Sequence, residues 1–504
     1  NSFVVILKNL EKVALMKIKK FIYSNFEIMI LISLFIFVKS FFLFKFHELI
    51  WDESVYLAAG KYLYSSGTVG LWEMVRPPIL PIFTGLFWKM GINSVLASEL
   101  LSLLFSSALI YVNYILSREF FDRKYSLLSS FLLAITPVFF LYSSYILTEI
   151  PATLFLLISI YFFLFKKNYF VSGIFCSISI LTKFTQLLAV PIFLILILIN
   201  FKKLKNTINH LILFLVGFVI PAIPFLLFNL FLYRDYTSNI FVAALRPFIL
   251  AFSHQSNVNQ ILSENLFNIL FYVHYFFNNF SVQFMFILGV LIFVAKKKFK
   301  EFNYLSLFIF FTVFLSYFTY IINKQDRFVI LILPFITFFT VFAFQQTIDF
   351  FYKNKKFNKL LIFAMVVILL LVFIKPVISQ DKEYYALRYS EPSQIVEEFY
   401  TFFNKNNVEG AVLTSDPTSA GYVDKLFIPY YFVLKDRPET YNEFDSNKKI
   451  GAIIYVPKSF SACSPEDSVC SETKMEFFKY LKQNGKEIFH KQYFGEEYYI
   501  FKVE

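Results

Sequence analysis

From Glu149 to Lys205 the chain reads EIPATLFLLISIYFFLFKKNYFVSGIFCSISILTKFTQLLAVPIFLILILINFKKLK. Three apolar runs, 150–166, 169–182 and 184–201, are parted by Lys167 and Asn168, with Lys166 closing the first, then by Lys183, and are closed by Lys202, Lys203 and Lys205. A bilayer core is crossed by about 20 apolar residues, with tolerance for tilt, so the stretch reads as helices threaded back and forth through a membrane. The 169–182 run is short enough to be tilted, bent or misassigned. Outward from this stretch the pattern repeats at 22–45, 94–117, 124–142, 209–233, 279–295, 304–322, 327–349 and 358–377, about eleven spans in all. No internal repeat of 20 to 50 residues is evident. Composition agrees: the 504 residues are 58% hydrophobic, 21% aromatic and only 16% charged, with a mean hydropathy of +0.61. A soluble domain is roughly 25% charged, and disordered chains are poor in aromatics, so both classes are excluded.

The net charge of +12 divides unevenly. Residues 1–377 carry 32 basic against 15 acidic side chains, and residues 378–504 carry 15 against 20. The expected organisation is therefore a membrane domain, 1–377, with a first exterior loop at 46–93, followed by a small soluble α/β domain, 378–504. Six basic groups lie in the N-terminal arm (Lys8 to Lys20) and in alternate connections (118–124, 166–167, 202–205, 296–300 and 353–359), and hold 21 of the 32 basic residues. The positive-inside rule makes their side cytoplasmic. The N-terminus is then inside, and an odd number of spans puts the C-terminus outside. Topology accounts for the basic excess, and no basic stripe on a soluble fold points to nucleic acid. The basic start runs into a full-length span without a small-residue cleavage site, so no cleavable signal is expected; Asn rather than Met at the start leaves room for a few preceding residues. Cys176 lies in an apolar span and reads as packing. Cys463 and Cys470, in the exterior tail, are free to pair or not.

Most charges left on the outer side need no more than solvation or snorkelling to explain them, because only charge at membrane depth is expensive. Three places ask for more. Asp52 and Glu53, in HELIWDESVYLAAGKYL directly after the first span, are adjacent and so point apart: one is able to face a cavity while the other anchors the loop. Glu149 opens the fourth span behind Thr148, with Pro151 in the first turn; a helix start alone accounts for such an acid. Lys183 is a lone cation between two spans, and Arg327, in INKQDRFVILILP, holds a similar outer position. Interfacial helices are expected at 54–64 and at about 78–90, the second started by Arg76-Pro77-Pro78.

In order, these motifs (Asp52-Glu53 after the first span, Arg76-Pro77-Pro78, Thr148-Glu149-Ile150-Pro151, and Leu181-Thr182-Lys183-Phe184-Thr185) resemble the membrane glycosyltransferases of the C-type fold. The nearest group is that of the protein O-mannosyltransferases and lipid A aminoarabinose transferases. The resemblance covers residues 20–335, and the tail motif VLTSDPTSAGY (412–422) looks like theirs too. It implies an enzyme that takes a sugar from a polyprenyl-phosphate carrier, dolichyl or undecaprenyl, and places it on a protein, lipid or glycan acceptor outside the cytoplasm. It makes Asp52 the catalytic carboxylate, gives Glu53 the loop or the acceptor, and leaves Glu149, where relatives often carry Asp, to touch substrate or support Asp52. Arg76 and Lys183 match basic positions near the carrier phosphate, with Arg327 and, from the exterior loop 234–278, Arg246 as further candidates.

The residue types suit that chemistry. A positioned carboxylate can take the proton of an attacking hydroxyl, and Arg and Lys stabilise a departing phosphate. A single displacement inverts the anomeric carbon and needs no enzyme nucleophile. No cofactor is expected. A divalent metal is not expected either, since the five His show no ligand spacing and the outer loops of the membrane part have no Asp-x-Asp. Two other classes compete. A transporter or flippase should carry its ionisable residues near mid-membrane and often inverted repeats; a lipid-linked glycan polymerase or ligase shares the chemistry but usually lacks an exterior α/β tail. In the tail, 393–404 has helical periodicity, VEGAVLTSDP and KKIGAIIYVP read as buried strands, and the last segment reads as a hairpin centred on Gly495.

Overall fold

The computed structural model describes residues 25–43, 48–200, 204–234, 237, 239–256, 271–272, 283–321, 324–353, 378–379, 382, 394–430, 450–457, 468–493 and 495–503. The N-terminal arm, the span expected at 358–377 and Cys463 with its pairing lie outside the described residues. The first helices are α1 (Phe26–Leu43), α2 (Trp51–Tyr64), α3 (Ile79–Lys89), α4 (Ser94–Arg118), α5 (Arg123–Ile135), α6 (Pro137–Tyr142), α7 (Glu149–Leu164) and α8 (Tyr169–Thr182). After a 3-10 turn at Phe184–Leu188 come α9 (Ala189–Asn200), α10 (Leu204–Tyr233), α11 (Ile240–Ser256), α12 (Gln283–Ala295) and α13 (Phe302–Tyr320). A second 3-10 turn, Asp326–Leu331, leads into α14 (Leu333–Lys353).

Among the described residues α4, α10 and α13 are long and apolar enough to cross a bilayer by themselves, and α3, α7, α8, α12 and the Phe184–Asn200 segment are shorter apolar helices. The structure departs from the sequence reading in four places. The run 124–142 breaks at Pro137, which has no N–H to continue α5 and instead starts α6. The runs 184–201 and 327–349 both begin as 3-10 turns. The stretch 234–278, expected as a loop, contains α11, whose Pro247 lies inside the helix.

The helices are locked by short side chains. Gly173 of α8 and Gly217 of α10 leave so little room that a Cβ on either would stand about 2 Å from a carbonyl oxygen of the other helix, the close approach small residues allow in membranes. Asn113 of α4 donates to Ser129 of α5 at 3.1 Å, and Ser129 in turn donates to Thr337 of α14 at 3.3 Å, so three helices share one buried polar seam.

The C-terminal part has α15 (Gln394–Tyr400), α16 (Phe402–Lys405), β1 (Ala411–Thr414), α17 (Thr418–Tyr422), β2 (Phe427–Pro429), β3 (Ile450–Tyr455), α18 (Ser468–Asn484), β4 (Lys486–Tyr493) and β5 (Glu496–Lys502). The sheet order is β2-β1-β3-β5-β4, parallel through β2, β1 and β3 and antiparallel through β3, β5 and β4. Gly495 turns the last hairpin with φ +77°. The two strands and the hairpin read from the sequence are all present.

This sheet is fastened to the first exterior loop. Gly70 donates its N–H to the Lys425 carbonyl at 2.7 Å and accepts from Phe427 N at 2.8 Å; its φ of +90°, and a would-be Cβ 2.1 Å from the Ala58 oxygen, require glycine. Lys61 of α2 is buried, donates to the carbonyls of Gly421 and Val423 at 3.0 and 3.2 Å, and meets Asp424 at 2.9 Å. Burial lowers the pKa of this ammonium, and Asp424 opposes the shift. Lys61→Met should therefore weaken the attachment by about 2 kcal/mol or more, since hydrogen bonds to charged groups carry about 1.5–3 kcal/mol each. Hydrogen exchange should rise over 411–430 and stay unchanged in α4 and α8; unchanged exchange over 411–430 would show that Lys61 is not the fastener.

Candidate functional site

Asp52 and Glu53 stand in the first turn of α2, where the helix dipole favours carboxylates. One residue step turns a helical side chain by about 100°, and the two acids part accordingly. Glu53 is fully buried: its Oε1 accepts Ile146 N at 2.9 Å and its Oε2 accepts Ile50 N at 3.1 Å. Both contacts are to backbone N–H groups of the loops on either side. They tie α2 to the segment that leads into α7.

Asp52 faces the other way, its side chain 15% exposed, with Oδ1 2.7 Å from Nη1 of Arg76. Its Oδ2 accepts from Nη2 of Arg327. Nε of Arg327 lies 3.4 Å from Oε1 of Glu149, and Nζ of Lys183 reaches the same oxygen at 2.9 Å. Five separate positions of the chain thus supply one continuous run of alternating charges. Four of them are placed by a helix boundary: Asp52 opens α2, Glu149 opens α7, Lys183 follows α8 in extended conformation (φ −152°, ψ 115°), and Arg327 lies in the 3-10 turn before α14. Gly60 of α2 and Gly85 of α3 fix the angle between their helices, because a Cβ on Gly60 would stand 2.5 Å from Gly85 N. The Arg76 loop is thereby held over α2.

A second set of residues steadies the cations. Buried Glu73 accepts from Nε of Arg76 at 2.6 Å, and the Arg76 guanidinium lies 5.6 Å from the ring centre of Tyr56. The Asp326 carboxylate accepts from Tyr142 Oη at 3.0 Å and from Arg327 N at 2.7 Å. Nζ of Lys183 sits 4.8 Å above the Phe328 ring, within reach of a cation–π attraction. Sequence reasoning left Tyr56, Tyr142 and Phe328 unremarked, and Glu73 and Asp326 fell among the outer charges that solvation explains. Glu73, three residues before Arg76, and Asp326, next to Arg327, were the available signals.

Burial by itself would raise the pKa of Asp52, but Arg76, and then Arg327 and Lys183, more than reverse it and hold the carboxyl well below the usual carboxylate range. Burial pushes the Tyr56 phenol up to about 12, with Arg76 opposing. With both oxygens given to guanidinium groups, Asp52 is poorly placed to ligate a cation. Among the described residues no three His, Cys, Asp or Glu side chains gather as a metal-ligand group. Arg246 is half-buried on α11 and is not one of the partners described for Asp52 or Glu149. Its helix does approach the site, since Phe248 packs on Phe184, the neighbour of Lys183, with ring centres 4.5 Å apart.

Residues 75–228 match the sequence family described as dolichyl-phosphate-mannose-protein mannosyltransferase. That segment contains Arg76, Glu149 and Lys183. Comparison with the curated proteins returns no match. Among solved structures the chain is similar to ArnT from Cupriavidus metallidurans bound to undecaprenyl phosphate, with a TM-score of 0.61 and 13% identity over 94% of this chain and 97% of that one. The Archaeoglobus fulgidus oligosaccharyltransferase tethered to an acceptor peptide gives a TM-score of 0.61 and 13% identity, over 95% and 74%. The archaeal oligosaccharyltransferase AglB of the same organism, with an inhibitory peptide and a dolichol-phosphate, gives 0.59 and 12%, over 95% and 74%. These likenesses show the fold, that of C-type membrane glycosyltransferases with a C-terminal sheet domain. The family match is confined to residues 75–228 of the 504, and together with the shared fold it marks the chain as a glycosyltransferase.

Proposed function

We propose that the chain transfers a monosaccharide from a polyprenyl-phosphate carrier to an acceptor hydroxyl on the extracytoplasmic side, with inversion. The observation that carries this reading is the convergence of Asp52 with Arg76, Arg327 and, through Glu149, Lys183. A base and a phosphate-sized set of cations share one place. The lipid phosphates held by ArnT and by AglB support a carrier of that class here. The acceptor oxygen attacks the anomeric carbon, its proton passes to Asp52, and the bond to the phosphate oxygen breaks with its electron pair leaving on the phosphate. Arg76, Arg327 and Lys183 stabilise the leaving anion, and Arg246 on α11 is assigned to the carrier phosphate as it enters from the Lys183 side. A guanidinium has five N–H donors, so an Arg can hold phosphate and carboxylate together. Glu149 and Glu53 serve by placing the cations and the loop.

The same reading puts about eleven spans and a membrane domain over 1–377, with the N-terminus cytoplasmic and the domain 378–504 outside with the site. No metal takes part in it. The test is an in vitro transfer assay with a panel of polyprenyl-phosphate sugars, with and without chelator. Transfer from at least one donor, insensitive to chelation and giving the inverted product, is expected; no transfer from any of them overturns the reading. Arg76→Ala should cut transfer and also move the acid limb of the pH–rate profile upward. Arg76 is the chief cause holding Asp52 low, and without it burial acts with less opposition.

A further inference from the structure

We infer that Glu149 takes up a proton when the lipid phosphate enters the site. This rests on the function proposed above. Without ligand, Asp52, Glu73, Glu149 and Asp326 stand against Arg76, Arg327 and Lys183, and Arg246, assigned above to the entering phosphate, makes the count four charges to four. A phosphodiester donor adds one negative charge to a site that is already balanced and largely buried. Like charges crowded at low dielectric do not all stay ionised, so one carboxylate has to give way.

The geometry selects which one. Asp52 has each oxygen on a different guanidinium, and Glu73 pairs with Arg76, three residues further along the same loop. Glu149 is 2% exposed. Its Oε1 is shared by Lys183 and Arg327, two of the cations the phosphate needs, while its Oε2 is buried with no hydrogen-bond partner. A proton on Oε2 releases Lys183 and Arg327 to the phosphate and turns a bare acceptor into a donor beside an anion. The groups facing Glu149 are Lys183 at the end of α8, Arg327 in the 3-10 turn, and Asp52 and Tyr56 on α2. Arg76 stands behind Asp52, and Tyr142 with Asp326 stands behind Arg327. None of these provides a cation beyond the four already counted.

The probe is undecaprenyl methyl phosphate, a diester with one permanent charge and no proton of its own to exchange near neutral pH. Calorimetry on the full chain, repeated in buffers of different ionisation enthalpy, should show uptake of about one proton per diester bound. Affinity should then fall about tenfold per unit rise in pH while uptake is complete. Glu149→Gln should bind without uptake and without that slope. Binding with no proton uptake, or the same uptake in Glu149→Gln, overturns the inference and leaves the proposed function standing; no binding at all is a failure of the proposed function. If Glu149→Gln does not fold, infrared difference spectra of the wild type decide: a protonated-carboxyl band must appear on adding the diester, and its absence overturns the inference.

Discussion

Asp52→Asn should reduce transfer about 10²–10⁴-fold, the range general-base catalysis contributes, while binding of undecaprenyl phosphate is kept or strengthened. The amide has nearly the shape of the carboxylate but cannot take a proton, and it withdraws one negative charge from beside Arg76 and Arg327. The two effects run in opposite directions, which distinguishes a reacting carboxylate from one that only shapes the pocket. Single-turnover rates and phosphate-carrier binding, measured on the same preparation, check it. Transfer at the normal rate would remove Asp52 from the chemistry.

Arg327→Ala should be the most damaging change at a cation. This side chain contacts both Asp52 and Glu149, so its loss leaves a buried and a mostly buried carboxylate near each other with one fewer counter-charge. Removing one partner of a buried pair costs about 3–5 kcal/mol, and loss of a preorganised transition-state donor typically costs about 10²–10³ in turnover. Both a lower unfolding temperature and a lower kcat are expected. Arg327→Lys should recover much of the stability but little of the rate, because an ammonium cannot span two carboxylates as a planar fork does. A lysine variant with full activity would show that charge alone is needed at this position.

The charged residues of the site were largely legible in the sequence because the rest of the membrane part is so poor in charge. Lys183 stands out in an apolar stretch, and Asp52, Glu149 and Arg327 fall at the ends of apolar runs, where a helix boundary sets a side chain at the water level. Their partnering was not legible. Which oxygen of Asp52 meets which guanidinium depends on helix crossing angles, fixed here by Gly60 against Gly85, and one chain's periodicity carries no information about those. The supporting aromatics were hidden for a different reason: among 72 Phe and 32 Tyr, neither Phe328 nor Tyr142 carries any mark until its neighbours are known. Helix α11 was missed because Arg246-Pro247 interrupts its apolar pattern; Pro inside a helix usually argues against one. Pro137, by contrast, could have been read as the break it makes between α5 and α6.

The fastening of Gly70 to Lys425 and Phe427 has a consequence for how many copies can share one membrane. Strand β2 lies at one margin of the sheet, and an open margin offers unsatisfied amides to any neighbour with a matching strand. Here the protein's own loop occupies those amides, so two molecules drifting together in the plane of the lipid have little to zip along on that side, and crowding need not become clumping.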